Sequence, residues 1–94
     1  MAFKFEKLIV WQKAVDLSEM VNHVVKGFPK EELYILTVQI IRAADSVSLN
    51  IAEGSTGQSK AEFNRFLGIS HRSVVEGAGC IHLARQRRII PEQD

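Results

Sequence analysis

The segment 33–53 constrains the fold more than any other part of the chain. Leu33, Leu36, Ile40, Ala44, Val47 and Ile51 recur at steps of three, four, four, three and four, the repeat of one α-helical face. Ile41, Ala43, Leu49 and Ala52 carry the apolar arc beyond that face. A helix apolar on two sides needs neighbours on two sides, so this one is expected at the centre of a helical assembly. Only 94 residues are present to supply those neighbours, near the lower limit for a core that stands without metals, disulfides or partner subunits. A homo-oligomer is the expectation.

Two further helices flank the central one. Trp11, Val15, Ser18, Val21 and Val25 form a helical stripe within a segment 8–26, and Gly27 is suited to cap its end. Pro29 fits the edge of the next helix, over 30–53, with Glu31 and Glu32 favourably placed at its positive pole. The run GSTGQ reads as a turn, and Ser59-Lys60-Ala61-Glu62 has capping-box spacing before a third helix over 60–88, with Phe63, Phe66, Leu67, Ser70, Val74, Gly77, Ile81 and Ala84 as its stripe. Short connections make successive helices antiparallel neighbours. The expected fold is one all-α domain, an antiparallel up-down helical bundle. Gly77 and Gly79, in mid-helix, each cost about 1 kcal/mol against alanine, so close approach by another helix would justify them, with a kink or bulge as the alternative.

The candidates for chemistry are few. Arg42, Ser46, Asn50 and Glu53 lie one turn apart along the central helix, a line that serves either as the start of a catalytic group or as a polar seam. A serine nucleophile needs a base within hydrogen-bond reach, and His71, His82 or Glu76 of the third helix would have to supply it. The seam is the preferred reading: Glu53 or Glu76, partly buried, accepts bonds from Asn50, Ser73 or an arginine and fixes the helical register. No catalytic residue is assigned. His23, His71 and His82 are too scattered for the Glu-x-x-His pairs of di-iron bundles, so no metal site is expected. GSTGQSK lacks the preceding strand and Gly-Lys-Ser/Thr ending of a phosphate loop, and no cofactor is expected either.

The net charge of +1 gives no overall basic field, so any nucleic-acid contact must use a local patch. Arg85, Arg87 and Arg88 crowd the end of the third helix, and Arg72 lies earlier on it. Assembly of several subunits would multiply these arginines into a track for phosphate. Trp11 and Tyr34 sit in helical stripes, which makes them core or subunit-contact residues. Cys80, the one cysteine, cannot form an internal disulfide and reads as a buried thiol. No stretch of roughly 18 uninterrupted apolar residues occurs and MAFKFEKLIVWQK lacks signal-peptide form, so the chain is read as cytoplasmic, with no membrane partner.

The stretches FEKLIVWQKAVDL, FPKEELYILTVQIIRAADSVSLNIAEG and KAEFNRFLGISHRSVVEGAGCIHLAR together resemble the four-helix-bundle proteins of 23S rRNA intervening sequences, from about Phe5 to Ile90. The resemblance implies a small helical subunit of a homopentameric barrel with no enzymatic activity. It also implies RNA or a nucleoprotein complex as partner, because a similar protein is the nucleic-acid-binding accessory subunit of diversity-generating retroelements. The chain departs from the family pattern at Ile41 and Arg72. Members of the family continue into a fourth helix, of which Pro91-Glu92-Gln93-Asp94 would be the start, so three helices are expected with the fourth missing or shortened.

Overall fold

The computed structural model describes residues 3–57 and 59–90. Three α-helices carry the fold: α1 spans Ile9–Val25, α2 Val38–Ser55 and α3 Lys60–Gln86, and no strand occurs among the described residues. A 3-10 turn, Lys4–Lys7, precedes α1, with the Phe3 N–H donating to the Glu6 carboxylate at 2.6 Å. The start of a fourth helix expected at 91–94 lies outside the described residues.

The approach to α2 differs from the expected single helix. Lys30–Glu32 forms a 3-10 turn and Leu33–Thr37 a π-helical turn before regular α-geometry begins at Val38. A π turn holds an extra residue, so it rotates the preceding side chains relative to the stripe that follows. Leu36 stays buried, whereas Leu33 leaves the apolar face and is 45% exposed. Gly27 also behaves otherwise than expected. No described glycine is left-handed, and α1 ends through Lys26 and Gly27 N–H groups bonded to the His23 and Val24 carbonyls. The cap of α3 follows expectation at its start, where Ser59 Oγ accepts from the Glu62 N–H at 3.2 Å. Its far end closes in a Schellman arrangement: Arg88, at φ 59°, turns the chain while the Ile89 N–H donates to the Ala84 carbonyl at 2.8 Å.

α2 is the central helix, packed against α1 on one side and α3 on the other, while α1 and α3 scarcely approach each other. Both pairings are antiparallel. Ala14 meets Val47 and Ile51, and Val21 and Val25 meet the cluster of Leu36 and Ile40, so α1 runs opposite to α2; Cys80 and Ala84 of α3 reach that same cluster. On α1 the most buried position is Ala14, one residue before the Val15 of the sequence stripe. Serines tie the layers together: Ser18 Oγ donates to the Ala44 carbonyl at 3.3 Å and Ser70 Oγ to that of Val47 at 2.9 Å. Lys30–Ser55 is apolar and long enough to cross a bilayer by composition alone; sandwiched between two helices, it serves here as the core.

Within the chain, close backbone approach occurs at Gly54, and not at Gly77 or Gly79. A Cβ on Gly54 would lie 2.5 Å from Phe66 Cβ, whereas one on Gly77 would meet only Ala43 Cβ, at an ordinary 3.9 Å. Facing away from α2's midline, the space between α1 and α3 stays open as an apolar cavity of about 200 Å³, floored by Ile40, Ala44 and Val47 and walled by Leu17, Val21 and Val74. Ile9, Met20 and Val74 are among the large apolar side chains left in solvent.

Candidate functional site

The seam is present in a different form from the one expected. Ser46 Oγ is its centre: it accepts from Asn50 Nδ2 at 2.9 Å and lies 2.9 Å from Ser73 Oγ of α3. Asn50 Nδ2 also reaches the Ser46 carbonyl at 2.8 Å, and Ser73 Oγ the Ile69 carbonyl at 3.2 Å. These bonds join α2 to α3 and satisfy buried hydroxyls, which is a packing role. Glu53 and Glu76 are solvent-exposed, and the bonds expected to reach them end on Ser46 instead. Among the described residues the side-chain partners of Ser46 are thus an amide and a hydroxyl. Neither is a base able to take its proton.

Beside the seam, α2 and α3 border a shallow groove of about 560 Å³ on the face turned away from α1, where Arg42, Gln39 and Glu76 meet Tyr34, Ile35 and Val38. Tyr34 is 87% exposed, so it is not a core residue. Trp11 is half-buried; its ring packs 4.9 Å from that of Phe5 and against the Ala14, Val47 and Ile51 cluster. Cys80 is buried, and burial followed by the nearby Glu76 charge pushes its thiol above the ordinary range. Among the described residues no three His, Cys, Asp or Glu side chains come together.

The arginines do not form one patch. Arg72 precedes Arg85 by thirteen residues on a continuous helix, a separation of roughly 20 Å at 1.5 Å per residue. Arg85 is half-buried, and its Nε, enclosed, has no hydrogen-bond partner among the described residues. Arg87 Nη1 contacts Glu32 Oε1 at 3.3 Å, tying the end of α3 to the start of the central segment. Arg88 is exposed. The helix end therefore presents Arg88 and, in part, Arg87. Sequence reasoning missed the Arg87 contact because its partner lies 55 residues away.

These features define an all-α bundle protein whose central polar residues bind helices to one another and whose uncommitted surface is a set of grooves and one basic end. The chain belongs to the 23S rRNA-intervening sequence protein family, whose sequence model matches residues 6–94. No curated protein matches it.

Proposed function

We propose that the protein is a non-enzymatic, self-associating subunit that binds RNA or a nucleoprotein partner through arginines gathered on the oligomer, in the cytoplasm. The uncovered apolar wall along α1 and α3 is the observation that carries self-association. Each 100 Å² of apolar surface left in water forgoes about 2.5 kcal/mol, a large share of the stability of so small a domain. The family's description ties its members to 23S rRNA, which supports an RNA-associated role. Light scattering over a hundredfold range of concentration is expected to give a mass above that of one chain; a single chain mass throughout would refute self-association. Binding of single-stranded RNA is expected to weaken steeply with salt and to be lost on reversing the charges of Arg87 and Arg88.

A second reading, a protein scaffold without nucleic acid, is favoured by the engagement of Arg87 with Glu32 and by the bare ring of Tyr34. RNA binding that is undetectable at low salt would select it.

A further inference from the structure

The entry to the central helix turns an acid inward and a leucine outward, the reverse of what its apolar spacing asks. Leu33 stands on the same stripe as the buried Leu36 and Ile40, yet it is 45% exposed. The Glu32 side chain is only 18% exposed and accepts from Arg87 Nη1 at 3.3 Å. The π turn Leu33–Thr37 accounts for both. Its extra residue rotates what precedes it by about one helical position, so Glu32 takes the inward place that a regular α-helix would give Leu33. An α-helical register is open to the same residues. It would carry Leu33 toward the apolar end of the bundle, where Leu36, Ile40 and Ala84 are flanked by Ile89 and Ile90, and return Glu32 to water. Upstream, only the short 3-10 turn Lys30–Glu32 separates the segment from Pro29, and it can absorb the rotation without moving a helix.

We propose that the Arg87–Glu32 pair is a register lock: while it is made, Leu33–Thr37 is held as a π turn, and when it is broken the segment passes to the α register with Leu33 inward. The α register gains the burial of Leu33. Against it the π register sets the pair and the packing of Phe28 on the same cluster, so a partly exposed pair of modest strength is enough to decide between them. Release turns Tyr34 and Ile35, which border the groove beside Arg42, through about 100°. The contact at the end of α3 thereby sets the shape of that groove.

The methyl groups of Leu33 read the register. In the full chain with isotope-labelled leucine methyls, a soluble gadolinium chelate is expected to broaden the Leu33 resonances strongly in the wild type. In Glu32→Gln and in Arg87→Gln, each at a position with some solvent exposure, the broadening is expected to fall several-fold while backbone contacts across residues 33–37 change from the π to the α pattern. The exchanged pair, Glu32→Arg with Arg87→Glu, is expected to restore it. Broadening that is unchanged in the single variants, that the exchange does not restore, or that comes with loss of all helical contacts in the segment would overturn the lock. Arg87 is also assigned to phosphate above; on that reading, RNA that withdraws it frees the register, and an oligouridylate bound to the wild type should lower the broadening as the variants do. Binding that shifts the Arg87 and Arg88 signals but not those of Leu33 would overturn this coupling. No binding at all would refute the RNA contact, and the lock is then decided by the variants, which are measured without RNA.

Discussion

The contrast between Gly54 and Gly79 offers the sharpest test of the packing. Both are helical, so alanine at either gains up to about 1 kcal/mol in helix propensity, and less at Gly54, which lies in the last turn of α2. Their surroundings are opposite. A Cβ at Gly54 would lie 2.5 Å from Phe66 Cβ and 3.1 Å from both Phe63 Cδ1 and Phe66 Cγ, whereas at Gly79 nothing lies within 4 Å. Carbon atoms rest at about 3.5–4.0 Å, so α3 must retreat from α2 by roughly 1 Å at this point. Phe66 Cβ is one bond from the backbone and cannot swing aside. Overpacking of this kind costs about 1–3 kcal/mol, which after the propensity gain leaves Gly54→Ala destabilised by about 1–2 kcal/mol, a fall in Tm of roughly 4–16 °C for a domain of this size. Gly79→Ala is expected to rise by about 4–8 °C. Calorimetry at one fixed protein concentration compares them, since association also moves Tm. A Gly54→Ala protein that melts at or above the wild-type temperature would refute the close approach of α2 and α3.

Three further outcomes follow from other contacts. Arg88→Gly relieves a left-handed side chain at the α3 terminus and is expected to gain about 1 kcal/mol, read by urea unfolding. Ser46→Ala removes the acceptor shared by Ser73 and Asn50, each of which keeps a backbone carbonyl, a loss of about 0.5–1.5 kcal/mol; in a double-mutant cycle with Ser73→Ala the two losses should fall well short of adding. Burial favours the neutral thiol of Cys80, so its stabilisation is complete below the ordinary thiol range and declines as pH rises through the elevated folded value. Maleimide should accordingly label the unfolded chain far faster than the folded one near pH 8.

The helices themselves were legible because apolar spacing depends only on which face is buried. Positions were less so. The π turn shifts register by a single residue, and nothing in the composition of Leu33–Thr37 announces it, so spacing puts Leu33 on the buried face while the fold leaves it outside. By spacing Ser18 and Ser70 are small members of apolar stripes, and their hydroxyls bond the carbonyls of α2; periodicity identifies a face but not the partner across it. Spacing alone puts Glu53 and Glu76 in the seam, yet a neutral Ser46–Ser73–Asn50 set satisfies it without burying a charge, the cheaper solution in a thin core. Gly54 looked like turn composition and proved to be the contact point with Phe66. The distance between Arg72 and Arg85 was available from helix geometry; the Arg87 contact with Glu32 was not, because it depends on tertiary packing.

The arginine geometry bears directly on how such a subunit could hold RNA. One chain offers Arg88 and part of Arg87 at the end of α3, with Arg72 roughly 20 Å along the helix. Two neutralised phosphates give a logarithmic salt slope near −1.4 on single strands, too shallow for firm binding at cellular ionic strength. Repetition of that end around an assembly changes the arithmetic, since a strand already held at one subunit meets the next at high effective concentration. The proposed self-association and the proposed RNA contact are then linked: assembly of copies is what would make a sparse set of arginines sufficient. Variants that are monomeric should therefore lose RNA affinity even with Arg87 and Arg88 intact.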